Sequence, residues 1–231
     1  DTKWVAAAAT VVCLAVPGIL AAENWDDHDR SGRTFARDIG WNYLNSTLPN
    51  SIIMNFGDND TFPLWFNQEV DGIRTDVRVM NTSYLGAEWY IDEMKTRANE
   101  AEGVPFSLPR RKYTYVNEQV FVDPIVSRPV ELKEAIDFVA NDDPRTTVPL
   151  IDGTSADFLP AKLFALPVNK ENAIRSGIVK EEDAHLMVDT IYFQINKSSI
   201  YKSELMLLDL LANFNWERPL YFTQPYILQG L

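Results

Sequence analysis

Two short polar clusters carry the side chains most able to do chemistry. The first is Asn24-Trp25-Asp26-Asp27-His28-Asp29-Arg30-Ser31, which sets three carboxylates and an imidazole within four positions. Such a set can hold a divalent cation or exchange protons. Consecutive residues cannot all face one site, so two or three of them converge at most. The other reading is a structural boundary: Asp29 or Ser31 caps the next helix, the acidic groups suit its positive end, and Arg30, Arg33 and Arg37 neutralise them. The second cluster is Gly57-Asp58-Asn59-Asp60-Thr61, directly after an apolar run. In an extended loop Asp58 and Asp60 face the same side and are the pair to test for a divalent cation. Ligands of parallel α/β sheets bind beyond the carboxyl ends of the strands, and the N-terminus of a helix favours anions and polar groups. Here the alternative is an Asx-turn with Asp60 or Thr61 as the helix cap. Phe62, Trp65 and Phe66 suit either a sugar-stacking platform or a core.

Several chemistries fail on residue supply. The chain of 231 residues has one cysteine, Cys13, and two histidines, His28 and His185. That excludes an internal disulfide framework and a cysteine-rich zinc site. Asp26-x-His28 with Gly57-Asp58 has the outline of a dimetal phosphoesterase, but that reaction class needs more histidines than His185 supplies. No Walker loop, G-x-G-x-x-G or G-x-S-x-G motif is present. Lys+Arg 21 against Asp+Glu 33 gives a net charge of −12, which argues against a nucleic-acid partner. An apolar fraction of 46% with 12% aromatics excludes wholesale disorder.

The elements that must position the second cluster read as one α/β domain, a mostly parallel, Rossmann-like sheet with flanking helices. Helical spacing covers Arg33 to Leu44, and Ser51 to Phe56 is a short buried strand. A helix follows over Phe62 to Val70, then a strand over Val77 to Asn81 and a helix over Glu88 to Glu102, closed by Gly103. This β-α-β-α order predicts parallel strands with right-handed crossovers. Further on, Tyr113 to Val122 reads as extended, Pro129 to Asn141 as an amphipathic helix and Asp142 to Ala156 as a surface loop. Phe158 to Val168 and Thr190 to Ile195 read as strands, Glu204 to Phe214 as a buried helix and Pro219 to Thr223 as a last strand.

The first cluster follows a different kind of segment. Trp4 to Ala22 holds 19 residues without a charge. At ~1.5 Å per residue it reaches about 28 Å, close to a bilayer core of ~30 Å. Trp4 and Trp25 stand where interfacial aromatics belong, and Lys3 before with Glu23, Asp26, Asp27 and Asp29 after orients the remainder outward. A buried core helix and a signal peptide are the competing readings; cleavage after Ala22 would put Leu20 where a small residue is wanted. The expected division is residues 1–22 as the end of a membrane region and 23–231 as an acidic α/β domain, which carries almost all of the charge.

The segments NWDDHDRSGR (24–33), NYLNS (42–46) and NFGDNDTFPLWFNQEVDGIRTDVRVMN (55–81) resemble a family of large multi-pass membrane proteins common in Bacteroidetes. Its eukaryotic relatives are protein O-mannosyltransferases, and the group is called glycosyltransferase family 117. PVNKENAIRSGIV (167–179) and ELMLLDLLANFNWERPLYF (204–222) extend the likeness over most of the chain. The resemblance implies that Trp4 to Ala22 is the last membrane helix, in the inner membrane, and that residues 23–231 face the periplasm. It implies lipid-phosphosugar-dependent transfer to protein, with the catalytic acid in an early loop that this chain does not include. The domain would then help to hold an acceptor protein or a lipid-linked sugar, with Trp25, Asp26, Asp27, His28, Asp29, Arg30, Asp58, Asn59, Asp60 and Trp65 as its binding candidates, the two clusters converging. The alternative is a non-catalytic scaffold that binds glycan or protein.

Overall fold

The structure is a computed structural model and describes residues 2–114, 119–151 and 153–225. The chain forms two compact units, Asp1–Asp38 and Ile39–Leu231.

The first unit is dominated by helix α1 (Thr2–His28), none of whose residues is buried. A helix apolar on all sides suits either a protein core or a bilayer, and no part of α1 is buried against the described residues, so the buried-core-helix reading has no support there. It is long and apolar enough to cross a membrane. It also runs six residues past Ala22, because Glu23 to His28 continue the backbone ladder. The side chains there bond within the helix: Asn24 donates to the Leu20 carbonyl at 2.7 Å, and His28 Nδ1 lies 2.9 Å from the Asn24 carbonyl. A turn closed by the Arg33 amide on the Arg30 carbonyl leads into α2 (Phe35–Asn45).

In the second unit the order is β1 (Ile52–Asn55), α3 (Asp58–Glu69), β2 (Arg78–Asn81), α4 (Glu88–Met94), β3 (Gln119–Val122) and β4 (Val130–Glu131). Then come α5 (Leu132–Ala140), β5 (Thr147–Pro149), β6 (Ser155–Leu159), β7 (Leu163–Pro167) and α6 (Lys170–Arg175). β8 (Thr190–Gln194), β9 (Ser199–Tyr201), α7 (Lys202–Asn213) and β10 (Leu220–Phe222) complete it. The class is mixed α/β, with three sheets instead of one: β10-β1-β2, all parallel; β5-β6-β3-β9; and β4-β7-β8, the last two with both parallel and antiparallel pairs.

Strands β1 and β2 are buried at every residue, on both faces of the sheet, which is why their central residues show no alternation of apolar and polar. Strand alternation sends Ile53, Val77 and Val79 toward Leu44 of α2 and Leu64 of α3. It sends Ile52, Met54 and Met80 to the main core with Ile91 and Met94 of α4 and Leu205, Met206 and Leu208 of α7. Helix α7 is apolar on most sides because it is enclosed, as its sequence predicts. The main core also takes Leu132, Ile136 and Val139 from α5. At the edge of that core a Lys112–Asp157 ion pair at 2.8 Å is itself buried, and Lys112 also donates to the Asn141 carbonyl.

Several expected elements change. The helix expected over Glu88 to Glu102 stops at Met94; Lys95 Nζ bonds the Leu108 carbonyl, and a turn pairs Ala98 with Ala101. Gly103 then passes so close to the Lys95 carbonyl that a Cβ there would lie 2.3 Å from its oxygen. Pro160 divides the expected strand over Phe158 to Val168 into β6 and β7. Val130–Glu131 pair with β7 before α5 begins, so Pro129 precedes a strand. The extended stretch from Tyr113 includes residues 115–118, which lie outside the described residues, as does Asp152 within the expected 142–156 loop; Thr147–Pro149 of that loop is a strand.

Candidate functional site

The carboxyl ends of β1 and β2 both finish on asparagine, and the two residues, Asn55 and Asn81, sit side by side in register. Both are fully buried. After Asn55 the chain turns at Gly57, whose φ of +79° is one that only glycine adopts without strain. The turn drops directly into α3, so Asp58, Asn59, Asp60 and Thr61 are its first turn rather than a loop. This corrects the expectation that Asp58 and Asp60 share a side, since residues two apart on a helix diverge. Acidic groups in a first turn are favoured by the positive end of the helix, which explains why the helix begins four residues early. Pro63 therefore stands in the second turn, where it has no N–H to give the Asn59 carbonyl.

Beneath this turn lies a buried polar network. Asn81 Nδ2 donates to Thr61 Oγ1 at 2.9 Å, and Thr61 Oγ1 lies 3.0 Å from Asn55 Oδ1 and 2.7 Å from the Gly57 carbonyl. Its single proton serves one of these two acceptors at a time. Thr82 Oγ1 donates to the Asn55 carbonyl at 2.8 Å, the Ser83 amide to Asn81 Oδ1 at 2.8 Å, and the Gly57 amide to Ser83 Oγ at 3.1 Å. Asn55 Nδ2 is buried with no hydrogen-bond partner. A buried amide left unpaired costs about 1–3 kcal/mol, so it marks a point where the fold does not satisfy itself.

Above the network the two carboxylates go separate ways. Asp58 Oδ1 accepts from Tyr84 OH at 2.9 Å, and this carboxylate raises the Tyr84 phenol above its usual range. Asp60 Oδ2 accepts from Thr223 Oγ1 at 2.9 Å and Gln224 Nε2 at 3.4 Å, tying α3 to the end of β10. Around them stand the exposed rings of Phe56 and Phe62. Trp65 is half-buried, with its ring 5.9 Å from that of Phe62, so it serves the core and the rim together. Tyr84 meets Tyr90 edge-on at 5.4 Å, and burial pushes the Tyr90 phenol up to about 12. Hydroxyl, amide and carboxylate groups beside exposed rings are the equipment that recognises a polyhydroxylated ligand. Among the described residues, no three His, Cys, Asp or Glu side chains gather as a metal site.

The first cluster belongs to the other unit. Asp26, Asp27 and His28 are on the last turn of α1, with Trp25, and successive helical positions point them apart. The acidic pair thus sits at a helix C-terminus, not at the start of the next helix as expected; of the three, only His28 complements that end. Asp29 makes an Asx-turn, accepting from the Ser31 amide at 2.9 Å, and the bonds from Ser31 hold its carboxyl below the usual range. Arg30 supplies the carbonyl of the following turn. Thr34, not Asp29 or Ser31, adjoins α2, and its hydroxyl bonds Asp38 at 2.8 Å.

Sequence reasoning singled out Asp58, Asn59 and Asp60 as candidates but did not include Asn55, Asn81, Tyr84 and Thr223, which the fold brings beside them. The signal for the first two was present: both apolar strands, IIMN and RVMN, end on the same polar residue. It also missed an apolar cavity of about 510 Å³ between β8 and the end of α7, lined by Ile191, Phe193, Leu211, Phe214 and Trp216 among others.

No curated protein and no solved structure matches the chain in sequence or structure comparisons. A family model, TMEM260-associated domain 2, matches residues 36–229, almost all of the second unit and the first residues before it. With a membrane-length helix ahead of that match, the chain belongs to the TMEM260-associated domain 2 family and is a domain of a membrane protein.

Proposed function

We propose that the chain is the extracytoplasmic part of a membrane-embedded glycosyltransferase-like protein and that the carboxyl edge of the β10-β1-β2 sheet binds a sugar of the acceptor or donor. In this reading α1 is the last membrane helix, in the inner membrane, and residues 23–231 lie on the periplasmic side. The lipid-phosphosugar chemistry follows from the family resemblance of residues 24–81, and the catalytic acid belongs to the membrane region, not to this chain. The observation that carries the reading is the unpaired, fully buried Asn55 amide beneath the Asp58–Asp60 turn. It stands at the position in a parallel sheet where ligands bind.

A non-catalytic scaffold is the second reading, favoured by a specific observation: Asp58 and Asp60 already bond Tyr84, Thr223 and Gln224. Asp58→Asn in the full-length protein separates the two. A sugar site loses at least tenfold in transfer from a lipid-phosphosugar, since an acceptor of sugar hydroxyls is gone. Unchanged transfer at normal expression selects the scaffold.

A further inference from the structure

At the opposite, amino end of the same sheet two arginines are buried. Arg78 on β2 is 4% exposed and Arg218, just before β10, is 8% exposed. They meet at Ser51: its carbonyl accepts from the Arg78 backbone N–H at 2.9 Å and from Arg218 Nη2 at 3.5 Å. Arg218 spends its other donors on the Asn50, Glu102 and Gly103 carbonyls, so it is a structural clamp. Arg78 donates Nη2 to the Glu93 carbonyl at 3.0 Å, while its Nε is buried without a partner. The neighbouring Ser51 Oγ is equally buried and unpartnered. Among the described residues neither guanidinium has a carboxylate within 4.0 Å. Burial lowers both pKa values, that of Arg218 to about 10 with Arg78 contributing, yet both stay charged at neutral pH.

Buried charge without a paired counter-charge is costly. Arg78 also lines a pocket of about 380 Å³ at the edge strand β2, between α3 and α4. Trp65 and Gln68 form one wall, and Ala98, Asn99 and Ala101 another. Gln68 is not available to a ligand through its amide nitrogen, which bonds the Arg74 and Val77 carbonyls. Two carboxylates, Glu69 and Glu93, also line the pocket; the Glu93 charge acts on Arg78 from a distance without pairing with it, and both carboxylates are on exposed residues where solvent screens them. The Arg78 charge, in contrast, is screened little. Guanidinium donors in a fork match the oxygens of an oxyanion.

We propose that this pocket binds a small oxyanion, a phosphate or carboxylate group of a ligand, through the Arg78 guanidinium. The site shares Trp65 with the rim of the proposed sugar-binding edge but none of that edge's hydrogen-bonding groups, so either can fail alone. The test is thermal unfolding of the full chain in detergent, titrated with sodium phosphate or sodium acetate against sodium chloride at equal ionic strength. A ligand that binds only the native state raises Tm saturably. The expected result is such a rise for one of the two anions: phosphate alone marks a phosphorylated ligand, acetate alone a carboxylate. Arg78→Gln weakens binding at least tenfold. Because that variant alters a buried group that also holds the Glu93 carbonyl, Ala98→Glu, which adds a carboxylate to the wall without touching Arg78, is the second arm and also weakens binding at least tenfold. Equal Tm in all three salts overturns the proposal, as does unchanged affinity in a folded Ala98→Glu.

Discussion

Asp209 shows how a single residue couples the core to pH. Its carboxylate is fully buried on α7 and accepts from the Ser107 amide at 2.9 Å, the Ser107 hydroxyl at 2.6 Å, the Leu108 amide at 3.1 Å and Asn213 Nδ2 at 2.8 Å. Burial nevertheless outweighs these donors and raises its pKa above 3.8. The folded state then holds the Asp209 proton more tightly than the unfolded chain. Stability from this group is fully present below the unfolded value of ~3.9 and is lost as pH rises through the higher folded value. Asn cannot titrate and leaves one of the donors without an acceptor, a cost of about 1–3 kcal/mol. Urea unfolding of wild type and Asp209→Asn at a series of pH values therefore gives a stability gap that is largest near pH 3.5 and narrows toward neutrality. A gap that stays constant from pH 3.5 to 7 contradicts this account of Asp209.

Elements that hold one apolar pattern through to burial were legible in the sequence. Helix α7 and strands β1 and β2 fall within a residue or two of their expected bounds because local pattern and tertiary burial agree there; β8 and β10 also fall that close, though β8 is mostly exposed and β10 half-buried. What escaped depends on contacts between distant parts of the chain. Pairing of Val130–Glu131 with β7, the early end of α4 and the division of the strands among three sheets are choices of partner, which periodicity does not encode. The candidate site divides in the same way: the Asp58–Asp60 turn announces itself by composition, while Tyr84 and Thr223 reach it from elsewhere in the fold. Gly40 is a further case, since nothing local distinguishes it from a helix-weakening residue. Its α-carbon faces α3 so closely that a Cβ would lie 2.4 Å from the Pro63 carbonyl oxygen and 2.6 Å from Asn67 Nδ2. Propensity alone would make Gly40→Ala stabilising by up to ~1 kcal/mol. The contact reverses the sign, because the neighbour is backbone; overpacking of this kind costs about 1–3 kcal/mol. Chemical denaturation of Gly40→Ala should show that loss, and a gain in stability would mean that α2 and α3 can separate without penalty.

At the scale of the whole molecule the chain joins two solvents. Helix α1 has 27 residues, about 40 Å at ~1.5 Å per residue, against a hydrocarbon core of ~30 Å, so its polar final turns extend beyond the apolar span. Val5, Val11, Val12, Leu14, Val16, Ile19 and Leu20 are all more than half exposed. That much apolar surface is not stable in water, and on a helix with no polar face it suits crossing a bilayer better than lying flat on one. Thr10 returns its hydroxyl to the Ala6 carbonyl, and Pro17, a poor residue for soluble helices, is tolerated in membrane ones. The acidic second unit, by contrast, gains nothing from anionic lipid, and among the described residues α1 is the segment long and apolar enough to hold it at a membrane. A charge at the centre of the helix therefore acts on the location of the entire chain. Leu14→Arg costs about 2.5–3.5 kcal/mol for insertion at mid-bilayer. Expressed in cells and extracted with alkaline carbonate, the wild-type chain should stay with the membranes, and Leu14→Arg should shift a large fraction to the soluble phase. Quantitative extraction of the wild type would remove α1 as a membrane span and, with it, the proposed periplasmic placement of the proposed sugar-binding edge.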